Sequence, residues 1–202
     1  MALFGKSKSR PIADFDMGLD EGWQGVDATS AEWVSDVVGA LPLTEAQRAP
    51  LEYQLGVIRD RVAELDEEGT QSLIWIPGDA PDHVKCTMTM AIRPRFDGGP
   101  EAYAAQLAAE ESNGTIEQSY DVARTWTAEV GAGPMACAYF LITYAPDGEV
   151  PHSEARTVYR VFPPGSSEDF EVVFSSQDLA DFADLVETTT NYMSTVTFEL
   201  ER

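Results

Sequence analysis

The chain has 202 residues, 35 of them acidic and 13 basic, which gives a formal net charge of −22 on 22.1 kDa. A carboxylate field of that strength repels nucleic-acid phosphates and anionic lipid head groups, and it speeds encounter with cationic partners. With 44% hydrophobic and 10% aromatic residues there is apolar material for a core, which excludes a natively disordered acidic polymer.

Residues 1 to 10 hold Lys6, Lys8 and Arg10 and no acid, so the residues after them carry −25. This basic arm is expected to be unfolded. Asp14, Asp16 and Asp20 follow it at once and leave no apolar run, so it does not read as a secretory leader. No apolar stretch approaches the ~20 residues a membrane-crossing helix needs. Read as a full-length protein, the chain is expected in the cytoplasm, with Cys86 and Cys137 as reduced thiols. Its three lysines and its many Ala, Gly, Asp and Glu also suit a GC-rich genome or a salt-adapted cytoplasm, a source of acidity that needs no partner.

Residues 11 to 28 show neither helical nor strand period and read as an irregular acidic lead-in pinned by Phe15 and Trp23. A single α+β domain over 29 to 202 follows. Thr29 or Ser30 can cap a short helix through about Ala40, with Trp33, Val34, Val37 and Val38 inward. Pro42 ends it, and Thr44 with Gln47 forms a capping-box pattern for the next helix. There Leu51, Leu55, Ile58, Val62 and Leu65 fall at spacings of four, three, four and three, one apolar stripe of an amphipathic helix. The stripe either packs on its own domain or, with Trp23, offers a surface to a partner.

From Gln71 the period changes to two. Ser72 to Ile76 reads as a buried strand closed by Pro77-Gly78. After a turn over Asp79 to Asp82, Val84, Cys86, Met88, Met90 and Ile92 face one way, and Lys85, Thr87, Thr89, Ala91 and Arg93 the other. So short a connection argues for a hairpin. Pro100 opens a helix through Tyr103 and Leu107 that stops at Asn113-Gly114. Ile116, Tyr120, Val122 and Trp126 are expected on one face of a strand, and Met135 to Tyr144 form the next. Ala145 to Ala155 reads as a polar loop. Strands follow at Thr157 to Phe162 and Phe170 to Phe174. Ser175 or Ser176 is expected to cap a helix through Leu179, Phe182, Leu185 and Val186 that ends at Thr188 to Thr190, before a terminal strand with Val196, Phe198 and Leu200.

The order strand, strand, helix, four strands, helix, strand resembles the Mog1/PsbP-like fold, a central antiparallel sheet with helices on its faces in an α/β/α sandwich. The resemblance covers about residues 71 to 200 and involves no signature motif. It lies in the hairpin around Pro77-Gly78, the helix opened by Pro100, and the Leu179 to Val186 helix leading into Ser194-Thr195-Val196-Thr197-Phe198. The two helices before residue 71 are extra to it. The resemblance implies a non-enzymatic protein-binding or assembly role and transfers no site residue.

No motif for chemistry stands out. His83, Cys86, Cys137 and His152 are four soft ligands, but they lack the paired knuckles of a zinc site, so no metal is expected. Asp14-x-Asp16-x-Gly18 puts Leu19 and Gly25 where a calcium loop needs Gly and Glu. Gly131-x-Gly133-x-x-Ala136 precedes a strand rather than a helix and carries Pro134, so it reads as a turn, and no cofactor is expected. Carboxylate pairs such as Glu110-Glu111 and Asp66-Glu67-Glu68 are what 35 acids produce by chance. Arg93, Arg95, Arg156 and Arg160 are too sparse for a nucleic-acid face. The expectation is an acidic module that binds another protein with a basic or mixed surface through Leu51, Leu55, Ile58, Val62 and Trp23. Its rivals are a small-molecule enzyme using carboxylates and one histidine, and a carrier of an apolar ligand between sheet and helix.

Overall fold

A computed structural model describes residues 9–65, 69–78, 81–110, 118–145, 150–179 and 184–202. Expectations about residues 1–8, Asp66 to Glu68, Asp79, Glu111, Asn113, Gly114, Ile116 and Phe182, and about the side chains of Leu65 and Glu110, lie outside the described residues.

Seven strands form an antiparallel sheet in the order β2-β3-β4-β8-β7-β6-β5. They are β2 (Trp23–Gly25), β3 (Thr70–Trp75), β4 (Cys86–Pro94), β5 (Gln118–Val130), β6 (Gly133–Tyr144), β7 (His152–Val161) and β8 (Glu168–Ser176). A two-stranded ribbon pairs β1 (Ile12–Asp16) with β9 (Thr197–Leu200). The helices are α1 (Trp33–Ala40), α2 (Glu45–Leu65), α3 (Gly99–Glu110) and α4 (Leu185–Ser194). From β3 onward the order of strands and helices is the one the periodicity predicts, and the fold is α+β with helices on both faces of the sheet.

Alternation along β4 sorts the layers. Cys86, Met88 and Met90 join Val172, Phe174, Tyr159 and Cys137 on one face, covered by Leu185, Tyr192 and Met193 of α4 and by Ile12 of the ribbon. Phe15 and Phe198 sit against Phe170 at ring separations of 4.5 and 5.5 Å. The opposite face is covered in two places. Trp33, Val37 and Val38 of α1 and Leu51 and Leu55 of α2 pack with Ile74, Ile76 and Val84. Tyr103, Ala104 and Leu107 of α3 pack with Ala138, Phe140 and Val158. Between these two helical layers the sheet presents Thr87, Ser175 and Arg156 in one row across β4, β8 and β7, and Ser72, Thr89 and Val173 in the next.

Several expectations need correction. The supposedly irregular stretch from 11 to 28 contains β1 and β2. Each is too short to show a period, and their partners lie at 197–200 and 73–75. Thr29 and Ser30 do not cap α1. Asp27 Oδ1 instead accepts their backbone N–H groups at 2.9 and 3.1 Å, and the helix starts at Trp33. Tyr120 does not share a face with Val122 and Trp126, because Asp121 is an extra residue in a β-bulge. Tyr120 turns to Phe140 on the α3 side, while Trp126 packs on the α4 side. Glu154 and Ala155 belong to β7 rather than to a loop. Ser175 and Ser176 end β8, and α4 starts at Leu185 and runs through the three threonines to Ser194. Thr189 is tolerated there because its buried hydroxyl donates to the Leu185 carbonyl at 2.6 Å and meets the Tyr159 hydroxyl at 2.8 Å.

Candidate functional site

Half of the expected capping box forms at the start of α2, where the Thr44 hydroxyl donates to Gln47 Oε1 at 2.6 Å rather than accepting the Gln47 N–H. The side chain of Gln47 accepts the Thr44 N–H at 3.0 Å, and the helix then runs for 21 residues with Pro50 in its second turn. Leu51 and Leu55 are fully buried beneath it, each worth about 1.5–3 kcal/mol of burial. The adjoining row of the helix, Tyr53, Val57 and Arg61 at spacings of four, faces out. Tyr53 is 77% and Val57 51% exposed.

Where α2 leaves the sheet a cleft opens, made of two adjoining pockets of about 280 and 210 Å³ that share Ile58, Arg61, Thr87 and Ser175. Tyr53 and Val57 form the rim of the larger pocket, and Val62, Thr89 and Arg156 line the smaller. The floor is polar because the open strip of sheet carries the Thr and Ser positions of β3, β4 and β8. At the β7 side Arg156 donates from Nε and Nη2 to Glu154 Oε1 at 3.0 and 2.7 Å, and from Nη2 to the Tyr144 hydroxyl at 3.0 Å. Glu154 is almost fully buried, while the Arg156 side chain is a quarter exposed toward the cleft. Burial works against the Arg156 charge, but Glu154 and Tyr144 hold its pKa above the ordinary value.

Two further polar groupings lie outside the cleft. His83, in the turn before β4, meets Asp82 Oδ1 at 2.9 Å through Nδ1 and Asp178 Oδ2 at 3.0 Å through Nε2. Burial opposes its charge, yet the hydrogen bonds to Asp178 and Asp82 together raise its pKa above 6.5. Its side chain is about a third exposed and ties the β3–β4 connection to the segment after β8. At the far end of the same sheet face, Arg160 donates to Asp169, Glu171 and the Pro94 carbonyl, and its guanidinium lies 4.8 Å from the Tyr103 ring centroid and 5.5 Å from that of Phe96. The Tyr103 hydroxyl donates to Glu171. This cluster joins α3 to three strands.

Of the residues expected to form an interaction surface, Leu51 and Leu55 are core and closed to a partner. The stripe's N-terminal half packs on its own domain. Ile58 and Val62 are half-buried and line the cleft. Trp23 is half-buried on the opposite face of the sheet, 6.0 Å from Phe174 and 6.2 Å from Tyr192, apart from α2. Tyr53 and Val57 escaped the sequence reading, although their spacing of four beside the apolar stripe was the signal. His83 and Cys86 do not converge on a ligand position. Cys86 and Cys137 are buried free thiols, both pushed up to about 12 by burial. Among the described residues no group of three or more His, Cys, Asp or Glu is placed to hold a metal ion, and no helix is long and apolar enough to cross a membrane.

No protein-family model matches the chain, and no curated protein matches it. Among solved structures it is similar to LpqN of Mycobacterium tuberculosis, described as involved in cell envelope biogenesis. The two share 11% identity over 91% of this chain and 82% of that one, with a TM-score of 0.46. It is also similar to the Ran-binding protein Mog1p of Saccharomyces cerevisiae, at 11% identity over 67% of this chain and 83% of that one, with a TM-score of 0.43. No residue's role is taken from either protein.

Proposed function

We propose that this chain is a non-enzymatic interaction or assembly module. In this reading its strongly acidic surface draws in a partner protein that docks on the outer row of α2 and the mouth of the cleft. The observation that carries the reading is the pair Tyr53 and Val57, large apolar side chains left in solvent beside an open cleft on a helix whose other row is core. The net charge of −22 gives the partner its complement: a segment with apolar side chains set among basic ones. Helix α2 itself is of mixed charge, with Glu52, Asp60 and Glu64 beside Arg59 and Arg61, so long-range attraction comes from the whole molecule rather than from the contact. The test compares binding of the partner isolated on the wild-type chain with binding to Tyr53→Ser/Val57→Ser. Hot-spot aromatic side chains contribute ~2 kcal/mol or more each, so a loss of affinity of tenfold or greater is expected with folding unchanged. Unchanged affinity would contradict the reading.

One observation favours a second reading, an enzyme that uses carboxylates and one histidine: His83 is held between Asp82 and Asp178. Metabolite turnover abolished by His83→Ala would support it.

A further inference from the structure

We infer that the inner end of the cleft binds a small amphipathic carboxylate, its head group between Arg61 and Arg156 and its apolar part along Ile58 and Val62. The inference goes beyond the docking reading and needs only the cleft. In a chain with nearly three acids for every base, the charged side chains lining the smaller pocket are two arginines and no acid. Glu154 engages Arg156 through Nε and Nη2, which leaves the two N–H groups of Nη1 without a hydrogen bond among the described residues. Arg61 makes no hydrogen bond or ion pair among the described residues and supplies a positive charge that the pocket does not offset. Burial raises the Tyr144 phenol, and the charges of both Arg156 and Arg61 pull it back, so both guanidiniums stand within electrostatic reach of one oxygen.

The register of the sheet supplies the remaining donors. Ser175 on β8 pairs with Arg156 on one side and with Thr87 on the other, and Thr89 lies opposite Ser72 on β3 in the next row, so hydroxyls line the floor of the pocket from Arg156 across to β3. The Thr87 hydroxyl donates to the Ser175 carbonyl at 3.4 Å, whereas those of Ser72 and Thr89 bond nothing among the described residues. Ile58, Val62, Val26 and Val173 wall the same space with hydrocarbon. One uncompensated guanidinium, free hydroxyl donors and an apolar wall in about 210 Å³ match a monoanion with a short tail. The arrangement is poorly matched to a bulky dianion or a purely apolar guest.

The test is a calorimetric titration of the full chain with octanoate and with octanamide, which keeps the tail and removes the charge, alongside methyl NMR of Ile58 and Val62. Saturable one-to-one binding of octanoate is expected, with shifts at the methyl groups of those two residues. Octanamide should bind at least about tenfold more weakly, since a charge-assisted hydrogen bond is worth a factor of roughly that size or more. Arg61→Gln should weaken octanoate by a similar factor while leaving the melting temperature unchanged. The inference is overturned if octanoate does not saturate, if octanamide binds as well, or if Arg61→Gln binds like the wild type. Partner docking is read separately on Tyr53 and Val57, so either result can fail without the other.

Discussion

Arg160 shows how one side chain holds several elements. Its side chain is 9% exposed, and its partners come from β4, β8 and α3. Asp169, fully buried, accepts the Phe96 N–H at 2.7 Å as well as Arg160 Nε at 3.2 Å. Burial pushes the Asp169 carboxyl above its ordinary pKa, and Phe96, Arg160 and Arg95 offset part of that. Removing the arginine leaves the fully buried Asp169 with Arg95 at 3.7 Å and Glu171 with Arg93 at 3.8 Å as their remaining cations. Arg160→Met is therefore expected to cost about 3 kcal/mol in urea unfolding, the low end of the range for breaking a buried pair from one side. A loss below ~1 kcal/mol would mean that water replaces the guanidinium. His83 gives a pH signature instead. Its pKa is raised in the folded state, so its contribution is fully present below the unfolded value near 6.5 and fades as pH rises through the folded value. The stability gap between wild type and His83→Gln should be widest near about pH 6 and close by about pH 9. An equal gap at both would contradict the double carboxylate contact. The sequence held no hint of either cluster, because Arg160 and Tyr103, like His83 and Asp178, come together only through tertiary packing.

At the level of elements, β4 is the clearest case of pattern dictating structure within Cys86–Pro94, whereas Val84, expected on the Met88 face, lies before the strand and packs on the other side with Leu51 and Leu55. Met88 is 1% exposed, on the face covered by α4, while Thr87 is half-buried beside Arg61 and Ser175 in the cleft. Met88→Asp should cost several kcal/mol, as an unpaired buried charge does, and Thr87→Asp much less, since arginines stand nearby. Equal losses by thermal melting would show that alternation does not separate the two faces. Helix α2 was legible from its stripe and its capping pair, and so was the β3–β4 hairpin. What could not be read locally depends on distant partners or on one inserted residue. The strands β1 and β2 are defined by pairing, the face of Tyr120 by the bulge at Asp121, and the path of α4 through Thr188 to Thr190 by the hydroxyls of Tyr159 and Thr157. The placement of the stripe was only partly legible. The sequence marks the stripe, but only the packed sheet decides that Leu51 and Leu55 lie inside while Ile58 and Val62 line an opening.

For the whole molecule, charge and topology act separately. The order of elements from β3 to β9 follows from periodicity and turn residues. The acidity does not affect that order, and its consequence is an attractive field for cationic partners extending over a Debye length. Acid-steered docking of a partner on the outer row of α2 would show in the association rate of that partner between ~50 and ~300 mM salt, a range over which the Debye length shrinks severalfold. The on-rate is expected to fall steeply with salt while the dissociation rate changes little, because desolvated contacts at Tyr53 and Val57 are not screened. An on-rate that does not respond to salt would contradict it.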